Sequence, residues 1–432
     1  MDRSLRAVLL GTFTLRFSTG LTGAMLAFYL ADLAKGGASG VDGKVVGALA
    51  AAFFLAELVL SPIFGVLADR LGHHRVMLYG PLFGAVAVVI TAFTSHIGVL
   101  GGTRILEGAS TAASVPSILG FLAFATAGNE ALRGKASARF EGATLAGLGA
   151  GFIVAPLLFE ALGRPAFLLN AVIYMGSYAI YRYGVEDHDQ PRSEDAASGT
   201  GIGRYLALVS HSHVLLLAPT WIAVNASIGL WFSQSLFQFS KSNPAFPGQW
   251  LLQGFSAVQI TIAAIVIAII FGTGILWWGN RFAQFRRTTI IAFGVVGGLG
   301  LVAAGLIVNH AAFDAAGSAL SALIVGGAAI GFGVGQFVLA GATPAAVGLL
   351  ADVSERFPTD RGAIMGLYSV FLAVGQIAGS LIGGVVADGL GMDGLLLATG
   401  GLLLAALIPL AKLRAVEHYL GPNLPSVLGE VD

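Results

Sequence analysis

Apolar positions in this chain fall into long runs rather than alternations. Stretches of 20 residues or more carry few charges and are separated by short clusters of charged and turn-forming residues. A bilayer core about 30 Å thick needs roughly 20 predominantly apolar residues per helix. Cutting the chain at the polar clusters predicts twelve spans. Six lie at 7–32, 45–68, 75–97, 99–126, 136–160 and 165–184, and six at 212–238, 254–278, 288–309, 317–350, 362–387 and 392–411. Lipid offers no partner to an open backbone, so each run is expected to be a helix. The fold class expected is an all-α membrane protein of two pseudo-symmetric six-helix bundles.

The longest polar interruption, 185–204, contains Glu186, Asp187, Asp189, Arg192, Glu194 and Asp195 and then a Ser/Gly-rich run. It reads as a solvated linker, which divides the chain into a bundle over 1–184, a linker over 185–211 and a bundle with a short tail over 212–432. The halves also echo each other. The second span ends Gly65-Val66-Leu67-Ala68-Asp69-Arg70-Leu71-Gly72-His73-His74-Arg75. The eighth ends Gly274-Ile275-Leu276-Trp277-Trp278-Gly279-Asn280-Arg281, followed by Arg286-Arg287, so Gly, Leu and Arg recur in order with Asn280 in the place of Asp69.

Composition agrees with the runs, since 56% hydrophobic and 11% charged residues over 432 positions cannot coat a soluble particle. The 61 Gly residues follow no triplet period and sit inside the apolar runs, where they allow helices to approach closely. No Cys is present, which excludes disulfides and thiolate metal sites. The formal net charge is zero and points to no nucleic-acid partner. Its distribution says more. With the amino terminus inside, 17 of the 23 Lys and Arg fall on the cytoplasmic side. Lys35, Lys44, Arg164 and Lys241 lie on the other, while Arg16 and Arg104 fall within spans. Both termini are therefore expected to be cytoplasmic in a multi-pass protein of the cell (inner) membrane. Arg3 and Arg6 lead into a run too long for a cleavable signal, so the first run is expected to remain as a span.

Three segments carry specific patterns. Gly65 to Arg75 reads G-x-L-a-D-R-x-G-r-r, with His73 and His74 where basic residues are usual. The fourth span holds Arg104-Ile105-Leu106-Glu107-Gly108, similar to R-x-x-q-G with Glu in place of Gln. The fifth runs from Gly142 through Gly151-Phe152-Ile153-Val154-Ala155-Pro156-Leu157-Leu158-Phe159-Glu160, similar to g-x-x-x-G-P-x-x-G-G. There Ala155 replaces the Gly before Pro, and Phe159-Glu160 the closing pair. On these motifs, joined by Asp360-Arg361-Gly362 and Met365-Gly366-Leu367-Tyr368, the chain resembles the major facilitator superfamily over nearly its whole length, in particular the drug:proton antiporter type with twelve spans. The resemblance implies a secondary transporter that works by alternating access. It also implies that Gly65, Asp69, Arg70, Gly72 and Arg75 form a conformational latch. A carboxylate at a helix end can pair with Arg or with a helix amino terminus, and such a clasp would shut the cytoplasmic side.

Charge within a bilayer is costly and usually faces a cavity or a partner. Four such residues, Arg16, Glu57, Arg104 and Glu107, all lie in the first half, and the spacing of Arg104 and Glu107 places them on one helix face. They are the candidates for proton coupling. Arg139 and Glu141 fall at the mouth of the fifth span and are set aside, and Asp32 and Glu160 fall at outer ends. The second half offers uncharged groups as a candidate substrate cavity: Asn225, Trp231, Gln234, Gln259, Gln336 and Gln376, beside Trp221 and several Phe.

No nucleophile–base constellation or metal-ligand cluster is visible. The G-x-G of Gly331-Phe332-Gly333 sits inside a span with no strand before it, so no nucleotide loop, catalysis or cofactor is expected. The partners expected are a small-molecule or lipid-like substrate, protons and the bilayer, with the chain a monomer. Three functions remain open: proton-coupled export of lipophilic or amphipathic compounds, lipids included; a facilitator or importer in which Arg16 and Arg104 hold an anionic solute without proton movement; and a non-transporting receptor or assembly factor on the same fold.

Overall fold

The computed structural model describes residues 3–37, 40–126, 130–186, 216–282, 284–312, 318–354 and 361–416. They form helices almost throughout: α1 Arg3–Lys35, α2 Gly43–Leu71, α3 His73–Met77, α4 Tyr79–Phe93, α5 Ile97–Ala125, α6 Glu130–Leu162, α7 Pro165–Gly184, α8 Ala218–Phe239, α9 Ala257–Gly279, α10 Arg287–Ala311, α11 Ala319–Leu339, α12 Ala342–Ser354 and α13 Arg361–Val416. No strand occurs among the described residues. Among the described residues, nine helical segments are long and apolar enough to cross a bilayer. Large side chains such as Leu276, Leu320, Leu323, Val172 and Ile330 stay exposed on their flanks, as a lipid environment requires. This is a multi-pass membrane protein.

The helices pair in the same way in each half. In the first, α1 packs on α6, α2 on α5, and α4 on α7. In the second, α8 packs on α13, α9 on α11, and α10 on α13. Small residues make the closest approaches. A Cβ on Gly151 would collide with the backbone of Phe17, and one on Gly379 with the backbone of Ala226, so the α1–α6 and α8–α13 seams are built alike.

Several boundaries differ from the hydropathy reading, each for a physical reason. The span expected over 317–350 breaks at Ala340–Gly341 into α11 and α12. Pro344 in the first turn of α12 has no N–H to give the Ala340 carbonyl, and Trp278 packs into the break: its ring occupies the space a Gly341 side chain would need, and its Nε1 donates to the Phe337 carbonyl at 3.2 Å. The two spans expected at 362–387 and 392–411 are both present in α13, which is two helices meeting at Gly391, whose φ of 64° is left-handed and non-helical. There the Gln249 amide replaces lost helical bonds, accepting the Met392 N–H at 2.7 Å and donating to the Leu390 carbonyl at 2.8 Å. The third span opens with the short α3, because Gly72 at φ 96° ends α2 and turns the chain. The linker expected over 185–211 lies outside the described residues from 187 onward, as does 212–215 of the seventh span.

The ends of the bundle are unlike. Where α1 meets α2, near Gly43, one buried cluster draws on both halves, joining Leu26, Phe28, Leu30, Val46 and Phe159 to Leu236, Phe237 and Ile260. At the opposite end, near Gly72, each cluster is drawn from a single half among the described residues. One is built on Leu5, Met77, Phe121 and Tyr181, and the other on Trp278, Ile290, Leu349 and Leu413. The halves are closed together at the Gly43 end.

Candidate functional site

Arg104 and Glu107 sit three residues apart on α5, and Arg104 Nη1 donates to Glu107 Oε2. Both are buried, Arg104 at 7% and Glu107 at 1% exposure. The Arg104 guanidinium also lies over the Phe53 ring of α2, 4.7 Å from its centroid. The other carboxylate oxygen, Glu107 Oε1, is buried without a hydrogen-bond partner. A buried ion pair with an unsatisfied oxygen is an expensive arrangement.

Gly108 carries this pair onto α2. A side chain there would collide with the Phe53 carbonyl and come within 3.1 Å of the Glu57 backbone nitrogen, so Glu57 stands one residue step from the pair. Arg16 of α1 is the opposite charge acting on Glu57, and it acts on Glu141 of α6 as well. The packing accounts for this second influence: Gly147 of α6 seats directly on Arg16, and a helical side chain leans toward the amino end of its helix, toward the level of Glu141. Unlike Glu107, Glu141 is exposed, and Arg16 and Glu57 are half-buried. The first half therefore holds two sets of ionisable groups, a buried pair and a more accessible trio.

The sequence reading set Glu141 aside, and the structure brings it into the cluster. It also missed Tyr174, which feels the charges of both Glu107 and Arg104 and lies 3.5 Å from the Thr19 hydroxyl. Asn170, one turn away, donates to the Ser18 carbonyl at 3.0 Å and to the Thr22 hydroxyl at 2.7 Å. The signal was present: Asn170, Tyr174, Ser177 and Tyr181 recur at helical spacing and form a polar stripe on α7.

The residues expected to form a latch lie at the Gly72 end. Asp69, 57% exposed, contacts His73 of the following turn at 3.7 Å. Gly65 approaches Pro116 of α5, and Gly72 makes the turn. Arg70 and Arg75 are exposed. His74, where a basic residue is usual, is buried and bonds the Tyr181 carbonyl at 3.0 Å.

The uncharged groups of the second half do not converge on one point. Asn225 donates to its own helix at Trp221, 2.9 Å away, and Trp231 Nε1 donates to Thr399 at 2.9 Å. Gln234 reaches across to the Gly43 carbonyl at 2.9 Å, which makes it part of the closed end. Gln259 closes a capping box with Ser256 at the exposed start of α9, a structural role. Gln336 is half-buried on α11. Gln376 is buried, and its Oε1 has no hydrogen-bond partner. Between the halves, Phe152 of α6 and Phe232 of α8 meet edge to face at 5.6 Å. No cluster fit to hold a metal occurs among the described residues.

The family model described as Major Facilitator Superfamily matches residues 8–335. The quinolone resistance protein NorA of Staphylococcus aureus is 28% identical over 182 residues, 40% of this chain and 45% of that protein, so the chain spans less than half of that relative's length. Multidrug resistance protein 2 of Bacillus subtilis is 22% identical over 352 residues, 81% of each chain. Among solved structures, the nucleoside transporter NupG superposes with a TM-score of 0.68 at 14% identity, covering 96% of this chain and 99% of that one. The human organic anion transporter MFSD10 gives 0.62 at 18% identity, covering 94% and 99%. These structural likenesses show the fold.

Proposed function

Because the chain belongs to the Major Facilitator Superfamily, a family of transporters rather than enzymes, we propose that it is a proton-coupled exporter of lipophilic or amphipathic small molecules working by alternating access. The observation that carries the reading is the Arg104–Glu107 pair with its unpartnered Oε1, set beside Arg16, Glu57 and Glu141. A desolvated carboxylate is held charged by its cation, and a proton on it releases that cation. With Glu107 protonated, Arg104 is free to change partner, so the two facing states of the protein differ in proton affinity. That difference is what coupling requires. The names of the relatives NorA and multidrug resistance protein 2 support drug-like substrates. The Phe152–Phe232 pair between the halves is aromatic surface that such a molecule could meet, and the buried Gln376 Oε1 is an unpaired acceptor in the second half.

The same proposal covers topology. The kinked α13 counts as two spans, and α7 and α8, at 20 and 22 residues, are of membrane length, which with the other segments gives twelve. Lys and Arg bias puts both termini in the cytoplasm of the cell, so the Gly43 end faces outward and the structure is closed to the outside. The native chain lacks Cys, so Ser193→Cys in the linker gives one label site. It is expected to resist impermeant thiol reagents in intact cells, and labelling from outside would reverse the orientation. Function is tested with ethidium, a lipophilic cation, in proteoliposomes. Coupled export moves protons with the dye, facilitation moves solute with no pH change, and a non-transporting receptor gives neither.

A further inference from the structure

The amino end of α2 is held by carboxylates from both halves of the protein. Its own Asp42 accepts the Val45 N–H at 2.9 Å. Asp388, on the arm of α13 that precedes the Gly391 kink, accepts the Gly43 N–H at 2.7 Å with Oδ1 and the Lys44 N–H at 3.0 Å with Oδ2. A helix start presents unpaired N–H groups and the positive end of its dipole, so an incoming carboxylate is doubly favoured. Asp42 already supplies the cap from within the chain segment. The second carboxylate, reaching from the other half, therefore serves the contact between halves more than the helix.

The surroundings are built for close, reversible contact. A side chain at Gly47 would collide with the Ser380 carbonyl, and one at Gly384 would lie 2.8 Å from the Lys44 Cα, so backbone meets backbone along this seam. Gln234 adds its bond to the Gly43 carbonyl. The charged groups facing Asp388 are Lys241, from the loop after α8, and Asp42, which also faces Lys241, with the Lys44 side chain exposed alongside. Beside the apolar cluster that joins the halves at this end, one amide and one carboxylate bond across the seam. At the Gly72 end the comparable carboxylate, Asp69 at the other terminus of α2, contacts His73 of its own segment.

We propose that Asp388 is the releasable latch of the Gly43 end: its carboxylate on the amino end of α2 holds the two halves closed there, and removing that charge lets them part. Two charge-assisted bonds between moving bodies are enough to change the closed-to-open ratio by roughly tenfold or more. The proposal does not rest on proton coupling, because it concerns the resting equilibrium without substrate.

The test uses the full cysteine-free chain in lipid nanodiscs, spin-labelled at Lys35→Cys and Ala245→Cys, two exposed positions in different halves at the Gly43 end. A second pair, Tyr183→Cys and Asn280→Cys, reports on the Gly72 end. Pulsed electron resonance is expected to show mostly short distances for the first pair in the parent. With Asp388→Ala or Asp388→Asn the long-distance population should rise roughly tenfold relative to the short one, while the second pair shortens. Asp388→Glu, which keeps the charge, should stay closed. Should Asp388→Ala fail to give monodisperse protein, Asp388→Asn, nearly identical in shape, decides. Unchanged distances with Asp388→Asn would overturn the proposal, and so would opening by Asp388→Glu to the same extent as by Asp388→Ala.

Discussion

The two halves of this protein share a frame and differ in what they bury. The α1–α6 seam of the first half and the α8–α13 seam of the second are both closed by glycines lying on backbone, at Gly151 and Gly379. Inside that frame the first half buries the Arg104–Glu107 pair close to Tyr174 of α7, with Arg16 and Glu57 half-buried. The described residues of the second half bury Asn225, Gln234, Gln376, Ser380 and Thr399, and no charge. Uncharged groups can be satisfied locally, as Asn225 is within its own helix, whereas every buried charge needs a partner. A scaffold that tolerates both solutions has confined the costly one to a single half. This division of labour is the basis for assigning protons to the first half and an uncharged, aromatic surface to the second.

The comparison is broken most forcefully at Arg104. Arg104→Ala leaves Glu107 buried without its cation and should destabilise the protein by about 3–5 kcal/mol. The joint replacement Arg104→Met with Glu107→Met should recover most of that loss and still abolish coupled transport. Thermal unfolding in detergent measures both, and equal destabilisation by the single and joint variants would refute the pairing. The shared frame comes next. Gly151→Val and Gly379→Val should each lose roughly 1–3 kcal/mol by overpacking equivalent seams, so a large loss in one and none in the other would show that the halves are not built alike.

Gln376 in the second half should matter less to folding. Because its Oε1 is buried without a partner, Gln376→Leu is expected to leave stability unchanged or raise it by about 1 kcal/mol while ethidium transport falls. The smallest effect is on pH at the closed end. Burial pushes the Lys241 ammonium below the usual lysine range, against the pull of Asp388 and Asp42. Between its folded and unfolded values the unfolded chain holds the proton more tightly, so stability from Lys241 rises with pH across that window and is lost as pH falls through the folded value. The slope should vanish in Lys241→Met, read as melting temperature between neutral and strongly alkaline buffer.

Much of this architecture was legible because lipid imposes one rule on every span. Pro165–Gly184 appears at the expected residues, and most other ends fall within a few positions. What stayed hidden depended on distant partners. Pro344, just past Gly341, was a local sign of a helix start, but the packing of the break depends on Trp278, a residue of another helix. The Gly391 kink is held by Gln249, more than a hundred residues earlier. The site divides in the same way. Arg104 and Glu107 were readable as neighbours from their spacing alone, while Glu141 joins Arg16 only because α6 lies on α1 at Gly147. Gln259 was open to a better reading, since Ser256 three residues before it is the signature of a capping box.

The most direct test of proton coupling in the first half is substrate-dependent pH change in proteoliposomes, with ethidium as the transported probe. Protein with Glu57 and Glu107 intact should shift lumenal pH in step with dye movement. Glu107→Gln should weaken that shift while leaving some dye flux, and Glu57→Gln combined with Glu107→Gln should abolish it, with folded yield unchanged in both. Undiminished proton movement in the double variant would contradict the account and move the coupling group to another carboxylate, beginning with Glu141.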